Sequence, residues 1–121
     1  MVFNLETIAP FLGLVGRSLV NIDANTSGAD DFAGQLLLYA ASVIVAVDHG
    51  EDLPALPDVL QHGVADKITG VSRASLMIAD SVLEYIEFQV SGKAATILRY
   101  ITEAISQLLA GQTVPPPPVL P

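Results

Sequence analysis

The chain has no cysteine. Disulfide frameworks and thiolate-bound metals are thereby excluded. Tryptophan is also missing, and histidine occurs twice. Basic residues are scarce: five Lys and Arg stand against 13 Asp and Glu, for a formal net charge of -8. Between Met1 and Leu53 seven acids face Arg17 alone, so this part carries -6. Six acids and four bases follow, which adds -2. Such a surface repels phosphate backbones and anionic lipid, and no basic patch exists to release counterions. Direct nucleic-acid binding is therefore not expected. No basic stretch precedes an apolar run at MVFNLE, so no secretory signal is expected there. The expected location is the cytoplasm, or the inside of a large assembly such as a virion.

Catalytic signatures are missing as well. The glycines form neither a phosphate-binding loop nor a dinucleotide fingerprint. No serine stands in a recognisable motif with His and Asp. The Glu-x-x-His pairs of carboxylate-bridged di-iron bundles do not occur. No enzyme activity and no cofactor is expected.

What the chain has in excess is apolar surface. Hydrophobic residues make up 51% of 121 residues, and the mean hydropathy is +0.54. A domain this short has little interior for its surface, so apolar groups beyond the core's needs face a partner or a membrane.

Helical periodicity dominates, and no run alternates with period two. In TIAPFLGLVGRSLVNI, residues Ile8, Phe11, Leu12, Val15, Leu19 and Ile22 form one stripe. Pro10 fits a first turn capped by Thr7, and Gly13 and Gly16 let another backbone come close. A loop NIDANTSGAD follows, with Ser27 and Asp30 spaced like a capping box. The next helix is expected over residues 28–49, closed by Gly50. Pro57 and Asp58 open a third helix, along which Leu60, Val64, Ile68 and Val71 keep helical spacing up to a break at Gly70. A fourth begins near Ser72, with Leu76, Ala79, Val82, Leu83, Ile86 and Val90 as its apolar stripe. The short joint Ser91-Gly92 favours an antiparallel pair with the last helix, which carries Ile97, Ile101, Ala104, Ile105 and Leu108 and ends at Gly111. The expected fold is all-α: a bundle of four or five helices over residues 1–111, with an extended proline-rich tail over 112–121.

The run FAGQLLLYAASVIVAV, residues 32–47, raises the question of a membrane span. Sixteen residues give about 24 Å, short of the roughly 20 residues a bilayer needs. Acids flank it on both sides and no Lys or Arg does, so the positive-inside signal is missing. The centre of a bundle or a subunit interface suits it better. A membrane-complex subunit anchored by residues 32–47 is the alternative.

Three polar groups are candidates for chemistry. Asp58, His62 and Asp66 would share a face on a continuous helix and could hold a divalent ion; a solvated helix face explains them as well. Asp48, His49, Glu51 and Asp52 cluster in a turn without the spacing of a calcium loop. Asp80, Glu84 and Glu87 are expected opposite the apolar stripe, in solvent. Arg17 stands alone in an apolar helix, and if buried it needs a carboxylate or carbonyl partner, within the bundle or across subunits.

The segment QTVPPPPVLP is the most informative. Pro115, Pro116, Pro117 and Pro118 favour polyproline II. Val114, Val119, Leu120 and Pro121 give this stiff rod apolar contact points and no charge, whereas a solvating tail would carry Ser, Glu or Lys. No basic residue flanks the two PxxP patterns, as a proline-recognition domain would favour. Residues 114–121 and Arg17 are thus the candidate interaction residues. The expected role is a non-enzymatic structural or assembly subunit that forms homo-oligomers or joins neighbouring structural proteins, for example in a virion as a capsid-decorating, connector or internal protein. A metal- or ligand-binding bundle is the remaining alternative.

Overall fold

A computed structural model describes residues 5–20, 28–61, 64, 68 and 70–114. It is all-α, as expected, with five helices in the order α1 (Leu5–Val20), α2 (Gly28–His49), α3 (Asp58–Gln61), α4 (Gly70–Glu87) and α5 (Gly92–Leu109).

The second helix is the spine. Twelve of its residues are buried, from Ala29 to Ala46, and α1, α3, α4 and α5 all pack against it. That explains why FAGQLLLYAASVIVAV is apolar on most sides: a central helix keeps only a narrow solvent strip, here Asp31, Ser42 and Val45. By length and composition Gly28–His49 is apolar enough to cross a membrane, with a mean hydropathy of 1.4 over 18 residues, and 61% of that window is buried inside the bundle.

The pairing of α1 with α2 is made by glycine. A Cβ on Gly16 would lie 2.9 Å from the Gly34 carbonyl oxygen, and one on Gly34 would lie 2.7 Å from that of Gly16. The two backbones touch where neither residue has a side chain. This close approach also decides which face of α1 is buried. Ile8, Ala9, Leu12, Gly13, Gly16 and Leu19 point inward, while Phe11, which the periodicity assigns to the core, is 38% exposed. Ile22, the loop after it and the Ser27 cap lie outside the described residues. The helix begins at Leu5, so Pro10 stands inside it rather than in its first turn. Pro10 is exposed, and its ring sits on the solvent side of the helix.

Helices α4 and α5 form the antiparallel pair expected from Ser91-Gly92. Arg99 Nε donates to Glu87 Oε1 at 3.2 Å near the joint, and at the far end the Arg73 guanidinium donates to the Leu109 carbonyl. Leu76, Ala79, Leu83 and Ile86 of α4 meet the same core as Ile97, Leu98, Ile101, Ala104, Ile105 and Leu108 of α5.

Gly50 and Gly111 close α2 and α5 as the sequence indicates. Both have positive φ, 68° and 73°. Behind each, the next residue's N–H reaches back five positions, Glu51 to the Ala46 carbonyl at 2.9 Å and Gln112 to that of Gln107 at 2.9 Å. This is the Schellman arrangement, which satisfies carbonyls left open at a helix end.

The third helix departs from expectation. It ends at Gln61 after four residues, and Val64 is not helical. Val64 and Val114 exchange two backbone hydrogen bonds, of 3.0 and 2.8 Å, in an isolated antiparallel bridge. The spacing Leu60–Val64 imitates a helix, but long-range pairing takes the backbone of Val64. The loop before α3 is held by the buried Tyr39, whose hydroxyl donates to the Pro54 carbonyl at 3.0 Å. Burial raises the Tyr39 pKa above its ordinary value.

Candidate functional site

The tail is anchored before it begins. Val114 is 3% exposed and belongs to the core. Its side chain serves this chain's own bundle rather than a neighbour, and its N–H and C=O are both taken by Val64. The anchored part of the chain therefore reaches Val114, beyond the expected boundary at residue 111. Pro115, Pro116, Pro117, Pro118, Val119, Leu120 and Pro121 lie outside the described residues.

Arg17 is exposed, not buried. Its guanidinium lies over Gly13, about 3.6 Å from where a Cβ there would be. It borders a shallow groove between α1 and α2 of about 450 Å³, together with Pro10, Leu38, Ser42 and Val45. The missing side chain at Gly13 lets the aliphatic stem lie along the helix while the charge stays in water.

The polar clusters separate. Asp58 is exposed on the four-residue α3. The continuous helix that would align it with His62 and Asp66 is not formed, and those two lie outside the described residues. His49 bonds Glu51 through Nδ1 at 3.2 Å and has Asp48 at 3.7 Å from Nε2, all on an exposed turn. Among the described residues no group of three or more His, Cys, Asp or Glu side chains could hold a metal ion.

Asp80, Glu84 and Glu87 do share one side of α4; Glu84 is exposed as expected, while Asp80 and Glu87 are half-buried. Glu84 and Glu87 line a depression with Thr102, Glu103, Ser106 and Gln107 of α5, and Arg99 takes Glu87. Asp80 is half-buried, and its Oδ1 has no hydrogen-bond partner among the described residues. Loss of hydration, reinforced by the negative charges of Glu84 and Glu87, raises its pKa above the ordinary carboxylate value. Glu84 and Glu87 thus stand beside the Thr102 and Ser106 hydroxyls, with Arg99 paired to Glu87.

The outermost face of α4 belongs instead to apolar side chains. Met77 is 57% exposed, Ile78 58% and Tyr85 45%, and Phe88, in the turn just past the helix end, 88%; Ala74 and Ser81 are exposed on the same side. No charged residue interrupts this row. Ile78 and Val82 also wall an apolar groove of about 280 Å³ against Thr7, Ile8 and Phe11 of α1. A surface helix ordinarily carries its polar residues at this position. The apolar stripe that periodicity marks on α4 is the buried one. A second was legible: Ala74, Ile78, Ser81, Tyr85 and Phe88 are spaced four, three, four and three apart.

Comparison with protein-family models, with curated proteins and with solved structures finds no match for the chain.

Proposed function

We propose that this chain is a non-enzymatic structural subunit of a larger oligomeric assembly, and that its proline-rich segment docks on a neighbouring subunit. The observation that carries this reading is the Val64–Val114 bridge. It holds the residue that precedes the proline run, with both backbone groups of Val114 bonded and its side chain in the core. Beyond that point lie seven uncharged residues, PPPPVLP. As polyproline II they reach about 22 Å at ~3.1 Å per residue. A stiff rod held at one end loses little entropy on docking, which favours binding through a few apolar contacts. Val119 and Leu120 are those contacts. The chain's acidity turns it away from nucleic acid. A repeating particle suits such a subunit, of which a virion's capsid-decorating, connector or internal protein is one form.

The test is native mass measurement of the full chain beside a variant ending at Val114. That end point keeps the buried valine and its bridge, so lost assembly cannot be ascribed to a damaged core. The full chain is expected as a high-mass species and the shortened one as a small oligomer of unchanged helical content. A full chain that stays monomeric at micromolar concentration overturns the reading.

A further inference from the structure

We infer that the solvent face of α4 is a seam that receives α4 of a second copy, antiparallel and centred on Ser81. The inference rests on the reading of the chain as a subunit of an assembly of copies, and it names the partner and the surface.

The first support is spacing. Ala74, Ile78, Ser81, Tyr85 and Phe88 recur at four- and three-residue steps, the 3.5-residue average that keeps a seam against a partner helix over several turns. All five are exposed, and the buried stripe Leu76–Ala79–Leu83–Ile86 lies on the opposite side of the helix. The bundle therefore does not account for this second row.

The second is size. The row runs from small to large along the helix. Reversed on itself about Ser81, it places Ala74 against Phe88, Met77 against Tyr85 and Ile78 beside Glu84 at the acidic edge, while Ser81 meets its own copy. Phe88 finds a small side chain and Tyr85 a slender one, as interdigitated layers require, and Ile78 covers the aliphatic stem of Glu84, whose carboxylate stays at the rim. A parallel arrangement would set Phe88 against Phe88 and Ala74 against Ala74, crowding one end and leaving the other open. Antiparallel helices also place opposite dipole ends side by side. The resulting two-fold contact is the closed, self-complementary kind.

The third is area. From the 150–250 Å² that a large aromatic buries, the exposed fractions of Met77, Ile78, Tyr85 and Phe88 correspond to roughly 500 Å² per copy. A pair then buries about 1,000 Å², the level at which specific interfaces begin. Charge argues against lipid as the occupant. The flank of this row holds Asp80, Glu84 and Glu87, with Arg73 as its one base, and a helix lying on a membrane surface is bordered by Lys and Arg.

The chain has no native cysteine, so single-cysteine variants report the geometry directly. In the full chain, Ser81→Cys is expected to link to its own copy through a short bis-maleimide, and Ala74→Cys is not. Ile78→Glu changes an exposed position, so helical content should hold while the pair dissociates about 100-fold or more readily, because each new carboxylate faces Glu84 of the other copy. Failure of Ser81→Cys to link, self-linking of Ala74→Cys, or an unchanged dissociation constant in Ile78→Glu each overturns the seam. Monomeric protein that co-sediments with phosphatidylcholine vesicles overturns it in favour of lipid. The link should persist in a Ser81→Cys chain ending at Val114. If it does while native mass is unaffected by loss of the rod, the seam stands and the docking rod fails. If the rod is needed for assembly but Ser81→Cys never links, the seam fails alone.

Discussion

At Gly34 a single hydrogen decides how near two helices come. A Cβ there would meet the Val20 Cγ2 at 2.6 Å, the Gly16 oxygen at 2.7 Å and the Val20 nitrogen at 2.9 Å. Two of those three atoms are backbone and cannot rotate away. Gly34→Ala is therefore expected to push α1 off α2 and cost about 1–3 kcal/mol, the scale of overpacking a tight core. Gly13 tests the same argument in reverse. Its nearest neighbour would be the flexible end of Arg17 at 3.6 Å, so Gly13→Ala should stabilise by up to about 1 kcal/mol through helix propensity. Urea titrations of the two variants, followed by circular dichroism, should move in opposite directions. Asp80 gives a pH-dependent case. Its folded pKa is raised above the unfolded value, chiefly by lost hydration and then by Glu84 and Glu87, so the folded state holds the proton more tightly. Stability from this group is complete below the ordinary carboxylate range and is lost as pH rises through the raised value. Asp80→Asn removes that loss. Its melting temperature should match the parent's near pH 3 and exceed it at pH 7; equal melting temperatures at both pH values would show that the buried carboxylate carries no penalty.

Elements here are defined as much by their ends as by their faces. Gly111 has a φ of 73° with open space around it, so Gly111→Ala costs only the left-handed backbone, about 1–2 kcal/mol. The loss should appear as faster amide exchange at Gln112 and at Val114, whose N–H is held by Val64 just beyond the cap. Caps of this kind were legible because glycine after an apolar run has one local meaning. So were α2, expected and found at residues 28–49, and the antiparallel joint at Ser91-Gly92, which two residues cannot close otherwise. What the sequence did not reveal depended on partners far along the chain. Val64 keeps helical spacing with Leu60, yet its backbone belongs to Val114, fifty residues on, and no local pattern contains that pairing. Arg17 was expected to need a buried partner because its neighbours are apolar; the gap at Gly13 gives it a route to water. On α4 the acids were assigned to the outermost face because acids usually occupy it. The antiparallel packing of α5 instead draws Glu87 sideways to Arg99 and leaves Met77, Ile78, Tyr85 and Phe88 outermost. The candidate seam was thus visible as spacing but not as exposure, which only the packing of α5 and α1 around α4 establishes.

For the whole molecule, apolar excess and acidic excess oppose one another, and that opposition determines how association should respond to salt. Each copy carries a formal charge of -8, so bringing two together costs Coulomb energy distributed over their surfaces. The screening length falls from about 30 Å at 0.01 M salt to about 3 Å at 1 M. If copies meet through the uncharged row on α4 and through an uncharged rod, salt weakens only the repulsion and leaves the attraction intact. Association should then tighten several-fold between 20 and 500 mM sodium chloride, read as the dissociation constant from sedimentation velocity. An assembly held by ion pairs between copies would do the opposite, because the same screening would reach the attraction. Burial of the α4 row adds a second signature, a negative heat-capacity change on association. Measured by dilution calorimetry at several temperatures, it should shrink in Ile78→Glu, where less apolar surface leaves water. Salt-weakened association with no heat-capacity change would remove apolar contact as the force that joins the copies, and with it both the seam and the rod.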